Sequence, residues 1–404
     1  MTASGPPSNP SPRLTWLAAV LLAAVVLAWS NSFHGPFVFD DLPSLRDNAA
    51  LRDWRTAFAP PAGGLTVSGR PLLNATFALN HLLHGEHVAG YHAVNLLIHA
   101  AAALVLFGLL RRTFRLPSLA PRFAAGADWL ALGIAALWAL HPLQTESVTY
   151  IVQRAESLAG LCYLLVLYAF VRAATTTGPR PWWIACWVAC LAGVLTKETV
   201  VTVPLLLLLY DRAFLAGSFA AAWRTRRGVY LALAALWLVA GGLVLAGASR
   251  GGTAGWHSPA APWEYALLQL SAIAHYLRLA FWPHPLVFDY GPFQSVSWRE
   301  VLPGAAVTLP ALAGALWLLV RRPAAGFAAA GLFLLLAPSS SLVPVASQVM
   351  AEHRMYLPLA AGLAGLAAWF YLRQPRATLV ALALLAGAAA AATWQRNRLY
   401  QSPL

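Results

Sequence analysis

The sequence predicts an all-α polytopic membrane protein of about eleven transmembrane helices, with amphipathic or re-entrant helices on its outer face. Three observations predict it. The 404 residues are 59% hydrophobic and only 10% charged, far more apolar sequence than a soluble core requires. Apolar runs of about 20 residues, enough to cross a bilayer, recur along the whole length. The charges also sort by sign between alternate loops, as membrane insertion demands.

The spans fall near residues 14–30, 93–110, 128–142, 157–173, 182–196, 199–214, 229–248, 301–320, 325–345, 356–372 and 377–393. Residues 1–13 are Pro/Ser-rich and read as a disordered cytoplasmic tail. The first run is too long, and lacks the cleavage site, for a signal peptide. With that tail in the cytoplasm, Arg111, Arg112, Arg115, Arg122, Arg172, Arg212, Arg226, Arg321, Arg322 and Arg376 all fall in cytoplasmic loops. The net charge of +13 is thus a topology signal. It points to the lipid bilayer and not to nucleic acid, with anionic-lipid contact as a by-product.

The same topology sorts the remaining polar residues. Of fourteen Asp and Glu, only Asp128 and Asp211 are cytoplasmic, while the eleven His fall on the outer side or in the outer half of a span and the single Lys, Lys197, lies outside. Loops with no task need no such segregation, so chemistry is expected on the outer face. Cys162, Cys186 and Cys190 sit inside apolar runs and read as small hydrophobes, with no disulfide framework.

In chain order, the first span ends at Phe37-Val38-Phe39-Asp40-Asp41, which opens a long outer loop over 31–91. Two carboxylates at a membrane boundary are costly unless solvated, paired or used. Gly69-Arg70-Pro71-Leu72 follows, and Thr76–His81 reads as a short amphipathic helix at the membrane surface. Arg70 suits a phosphate through forked hydrogen bonds, or a pairing with Asp40 or Asp41. His92, Asn95 and His99 share one helix face, a pattern that favours an interhelical hydrogen-bond network over a metal site. His141–Ser147 and Tyr150–Glu156 form a short outer connection rich in ionisable groups. There Arg154 is a candidate for a lipid phosphate, and Glu156 suits a helix N-terminus. Lys197 offers a point charge for a phosphate, or a surface partner for Glu198. Residues 262–282 read as a re-entrant or surface helix, because a full span there would invert everything downstream. Asp289 lies in the loop that follows. Glu352, His353 and Arg354 form an ion-paired anchor or a substrate clamp at a span entrance, and residues 395–404 form an outer tail.

Five ordered stretches resemble the membrane region of the transmembrane-and-TPR O-mannosyltransferases and their bacterial relatives: Phe37–Asp41, Gly69–Leu72 with Tyr91–Asn95, His141–Glu156, Leu195–Asp211 and Ala351–Pro358. Pro285–Tyr290 matches more weakly. The resemblance implies a GT-C glycosyltransferase membrane domain over 14–394 and a polyprenyl-phosphate sugar donor, mannose foremost. It also implies a protein or glycan hydroxyl as acceptor and an active site on the periplasmic face. It gives the base role to Asp40 or Asp41 and the donor phosphate to Arg154, with Lys197, Arg354 and Arg70 behind it. Sugar contacts would fall to His92, Asn95, His141, Glu146, Glu156, Glu198, Asp289, Glu352 and His353. No cofactor is required, since the donor carries one phosphate, although Asp40 and Asp41 would also suit a divalent cation. The family continues into TPR repeats where this chain ends, so a minimal relative or a truncated form is expected. The Ala/Leu/Arg-rich composition suggests a bacterial plasma membrane. A lipid-sugar flippase and a non-catalytic scaffold are the competing classes.

Overall fold

In the computed structural model, which describes residues 12–61, 63, 65–246, 261–292, 295–341, 344–345 and 348–402, the chain is helical from one end to the other. Its helices are α1 (Pro12–Trp29), α2 (Pro71–His84), α3 (Val88–Phe114), α4 (Ala120–Phe123), α5 (Ala127–Ala139), α6 (Thr145–Val148), α7 (Arg154–Thr175) and α8 (Arg180–Val194). They continue as α9 (Val203–Tyr210), α10 (Phe219–Ala234), α11 (Leu236–Ala246), α12 (Pro262–Phe281), α13 (Trp298–Arg321), α14 (Pro323–Leu336), α15 (Tyr356–Tyr371) and α16 (Pro375–Leu399). Most of the expected N-terminal tail, residues 1–11, lies outside the described residues, but Pro12 and Arg13 already belong to α1. Proline suits a first helical turn, where an N–H would have no partner.

A helix stands at each of the eleven expected places, but the count of eleven full spans does not follow. Among the described residues six helical segments are long and apolar enough to cross a membrane, or seven if the pair Ala120–Ala139 and Pro142–Val148, bent by 54°, is one span. Helices α8, α9, α14 and α15 have 15, 8, 14 and 16 residues, below the roughly 20 that hydrocarbon requires. Polar breaks cut them short, as at Thr196–Thr202 ahead of α9. The outward apolar surface supports the membrane reading. Leu238, Leu245 and Leu384 are 82%, 84% and 69% exposed, an arrangement that lipid tolerates and water does not.

The core lies where α3 packs between α5 and α7, with α15 and α16 closing over it. His99, in the middle of α3, bridges Tyr356 Oη and the Ala139 carbonyl, both at 2.9 Å, beside the buried Trp138. This is the interhelical network that the His92/Asn95/His99 stripe suggested. Helix α7 reaches α15 only because residue 160 is glycine: a Cβ there would lie 2.5 Å from the Tyr356 ring. Gly160→Ala is therefore expected to destabilise the fold by about 1–3 kcal/mol through overpacking, read as a lowered melting temperature in detergent.

Helix α3 has 27 residues, so its ends lie about 40 Å apart. They mark two unlike faces. At the arginine face Asp128 accepts from Arg111 Nε (2.7 Å) and Arg115 Nη2 (2.9 Å), and Asp211 accepts from Arg226 Nη1 (2.8 Å) and Tyr230. The opposite, acidic face carries the turn after α1 and the connections around residues 141–156, 196–199, 283–292 and 348–356. Helix α2 lies there too, burying Leu73 and Phe77 and exposing Leu82 and Leu83, as an amphipathic surface helix does. Helix α12 runs along the segment that leads into α15. Tyr265 Oη donates to Ser339 O (2.8 Å), Gln269 Nε2 donates to Val349 O (3.0 Å), and Tyr276 Oη accepts from Ala351 N (2.9 Å).

Candidate active site

The site begins with a strained turn. Phe39 has φ +47°, a left-handed conformation that costs a residue with a side chain about 1 kcal/mol or more. The turn closes through Asp41 N to Val38 O (2.8 Å) and Leu42 N to Phe39 O (3.2 Å). It sends the two neighbouring carboxylates in opposite directions. Asp41 is fully buried, its Oδ1 accepting from Val152 N (2.7 Å) and its Oδ2 from Val38 N (3.1 Å). Asp40 stays partly exposed, and its Oδ2 accepts only from Thr66 Oγ1 (3.3 Å). Its backbone N–H donates to Tyr150 Oη (2.8 Å).

Burial pushes the Asp40 carboxyl above the usual range; the Thr66 hydroxyl and the His353 ring pull it back, and Asp289 pushes it up again. Burial raises Asp41 to about 8, against the pull of its two amide donors.

Around this turn the structure assembles most of the expected residues. Glu146 receives His353 twice, through Nδ1 (2.6 Å) and the backbone N–H (2.8 Å), with both side chains buried. Glu352 Oε1 accepts from Val287 N (2.6 Å) and Tyr290 Oη (3.0 Å), and burial raises it to about 7. Glu352 thereby anchors the loop that carries Phe288, whose ring meets Phe39, Tyr150 and Tyr400, and places Asp289 near Asp40. On the other side Arg70 grips Glu198 through Nε and Nη2 (3.1–3.3 Å) and donates from Nη1 to Thr66 O (2.8 Å). Thr66 thus links Arg70 to Asp40. Lys197 pairs with Glu156 next to this group.

Other expected site residues are engaged by the scaffold. Arg154 is fully buried: Nε donates to Asn95 Oδ1 (2.7 Å), Nη2 to Tyr91 O (3.1 Å) and Nη1 to Thr76 O (3.3 Å), while its plane lies over the Phe77 ring. Asn95 in turn donates to Val148 O and Ile151 O. Arg154 and Asn95, expected to meet the donor phosphate and the sugar, are held here by contacts that tie α2, α3 and α7 together. Arg354 likewise donates to the Val349 and Gln348 carbonyls and to Tyr265. His92 bonds Gly35 O (2.9 Å), and His141 Nδ1 accepts from Leu143 N (3.2 Å), so both rings fasten backbone turns.

Four residues of the cluster carry no site signal in the sequence: Thr66, Tyr150, Tyr290 and Arg396. The topology places all four on the outer face, but no motif or spacing singles them out. Arg396, on α16, lies beside Glu352 and the Tyr400 ring, and its buried Nε has no hydrogen-bond partner among the described residues. Among the described residues no group of three or more His, Cys, Asp or Glu is disposed to hold a metal ion.

Helices and site together define a multi-pass membrane protein with a carboxylate-centred cluster at one face. By sequence the chain is similar to the TMTC protein O-mannosyltransferases. It is 30% identical to Protein O-mannosyl-transferase Tmtc3 of Drosophila melanogaster over 234 residues (51% of this chain, 25% of that protein). It is 30% identical to Drosophila Tmtc2 over 283 residues (65% and 29%) and 33% identical to Xenopus laevis tmtc2 over 212 residues (48% and 24%). The matched part is about a quarter of the length of these curated relatives. No protein-family model matches. Among solved structures, apo ArnT from Cupriavidus metallidurans aligns with a TM-score of 0.42 at 19% identity, over 88% of this chain and 60% of that one. The Archaeoglobus fulgidus oligosaccharyltransferase tethered to an acceptor peptide aligns with 0.49 at 15% identity, over 97% and 55%.

Proposed function

We propose that the chain is an inverting, GT-C-type glycosyltransferase of a bacterial plasma membrane. It would move a sugar, mannose foremost, from a polyprenyl phosphate to a hydroxyl of a protein or glycan on the acidic face. The similarity to O-mannosyltransferases supports the class of reaction. The observation that carries the assignment of roles is the division between Asp40 and Asp41. A general base needs an oxygen that an acceptor can reach and a pKa drawn toward neutrality. Asp40 offers both, whereas both oxygens of Asp41 are taken up by backbone amides.

In the proposed step the acceptor O–H proton passes to an Asp40 carboxylate oxygen. The acceptor oxygen bonds to the anomeric carbon, and the carbon–oxygen bond to the lipid phosphate breaks. Polyprenyl phosphate leaves with the bonding pair. Cations near that phosphate stabilise the charge as it develops. Lys197, paired with the Glu156 carboxylate, and Arg70, which Glu198 holds alongside the Thr66 carbonyl, fit this better, together with Arg396, than Arg154 and Arg354, which backbone carbonyls hold. The chemistry is drawn without a divalent ion because a single phosphate is the leaving group. Glu146 with His353, Glu352 and Asp289 form the wall on which sugar hydroxyls would be held.

The test uses purified protein, radiolabelled polyprenyl-phosphate mannose and a Ser/Thr peptide. Release of polyprenyl phosphate with label on the peptide supports the reading. If no polyprenyl-phosphate sugar is consumed by folded protein, the flippase and scaffold classes take its place.

The pH profile supplies an independent check. The base must be ionised, so the rate is expected to rise with pH through the Asp40 pKa. Asp289→Asn removes a neighbouring negative charge, lowers that pKa and moves the acid limb to lower pH. Thr66→Val removes a hydrogen bond to the carboxylate, raises the pKa and moves the limb to higher pH. Rates measured from about pH 4 to 9 read both shifts; limbs that stay in place would take the base role away from Asp40.

A further inference from the structure

The arginine face holds a feature that the proposed reaction does not use. A cavity of about 770 Å³ opens between the ends of α3, α7 and α10 and the turn after α9, walled by Arg111, Arg112, Arg115 and Arg226. Directly behind it, between α3, α4, α7, α9, α14 and α15, lies a second cavity of about 270 Å³ with an almost wholly apolar lining. Phe214 borders both. Its backbone is fixed by Ser118 Oγ donating to Phe214 O (2.8 Å), and its ring packs edge-on against Phe327.

The positive-inside rule explains why arginines occupy this face; it does not explain why four of them surround one cavity. Two carboxylates answer the four guanidiniums. Asp128 is shared by Arg111 and Arg115, and Asp211 takes Arg226. Among the described residues Arg112 meets a neutral group, its Nε donating to Tyr168 Oη (3.3 Å) while its guanidinium lies 5.4 Å from that ring. The cavity therefore carries an excess of positive charge at a membrane boundary, with an apolar chamber on its bilayer side. A basic cavity between membrane helices is suited to a phosphate-bearing head group, and the adjoining chamber to one hydrocarbon chain.

The geometry points to a binding site for an anionic glycerophospholipid at this face. The phosphodiester sits among Arg112, Arg115 and Arg226, and one acyl chain passes Phe214 into the apolar chamber. The site lies at the end of α3 remote from Asp40 and is independent of the glycosyltransferase reading.

Arg112 is the residue to test, because its removal strands no carboxylate. Native mass spectrometry of the full-length purified chain would compare dioleoyl-phosphatidylglycerol, dioleoyl-phosphatidylcholine and glycerol 3-phosphate. Variants Arg112→Gln and Ala361→Leu, the latter narrowing the apolar chamber, would be run beside the wild type with their melting temperatures in lipid-free detergent. The wild type is expected to retain phosphatidylglycerol at least tenfold better than phosphatidylcholine. Arg112→Gln should lose that preference, and Ala361→Leu should weaken retention of both lipids. Several outcomes overturn the assignment. Folded Arg112→Gln could keep the full preference, or folded Ala361→Leu could retain lipid unchanged. Glycerol 3-phosphate could bind as well as the lipid, which would make this a site for soluble anions. Displacement of phosphatidylglycerol by undecaprenyl phosphate, with the same dependence on Arg112, would give the site to the carrier lipid instead.

Discussion

Asp40→Asn is expected to cut sugar transfer by about 10²–10⁴-fold while leaving the melting temperature within a degree or so of wild type. Asp41→Asn is expected to do the reverse. The amide keeps the size of Asp40 and can still accept from Thr66, so the turn closes as before and only the proton acceptor is lost. At Asp41 both oxygens receive backbone N–H groups, from Val38 and Val152. An asparagine there must turn an NH₂ toward one of these donors, leaving a buried N–H unpaired at a cost of about 1–3 kcal/mol. Melting temperature and single-turnover rate, measured side by side on the two variants, separate the roles. If Asp41→Asn kept its stability and lost turnover while Asp40→Asn stayed active, the assignment would be inverted.

That division could not be read from the sequence, because it depends on one backbone angle. Asp40-Asp41 looks symmetric as a string. The left-handed Phe39 ahead of it, held with the Phe288 ring against its own, turns one carboxylate toward the cleft and the other into the scaffold. A left-handed phenylalanine has no sequence signature, since glycine or asparagine is the residue expected there.

Other features were legible because they rest on long-range bias. The separation of arginines from carboxylates, histidines and Lys197 survives any small error in span boundaries. The structure places Asp128 and Asp211, the two exceptions, among arginines at the far face. Span number was less legible for the opposite reason. Apolar runs mark where helices stand, but His141-Pro142 bends one pair by 54°, and polar turns leave α8 and α9 shorter than a bilayer is thick.

Arg154→Leu is expected to fail through stability and not through donor affinity. In the sequence Arg154 stands at the start of a span in a short outer connection dense in ionisable groups, which favours it for the lipid phosphate. What the sequence does not display is the lid over it. Helix α2, far upstream in the sequence (Thr76 is 78 residues away), lays Phe77 across the guanidinium at 4.3 Å and supplies the Thr76 carbonyl. Tyr91 O and Asn95 Oδ1 complete the cage. Leucine would take the only side-chain donor from the buried Asn95 Oδ1, remove second donors from the Tyr91 and Thr76 carbonyls, and remove a cation whose charge favours the ionised form of Asp41. A loss of about 3–5 kcal/mol follows from stranding groups of this kind, and most of the variant should be recovered unfolded or aggregated. Lys197→Gln, which removes the charge but can still donate to Glu156, behaves differently if the proposed phosphate site is right, since it gives folded protein with a raised KM for the polyprenyl-phosphate donor. Detergent melting curves and donor titrations on the two variants decide between them. A well-folded Arg154→Leu with only a raised donor KM would return Arg154 to the phosphate.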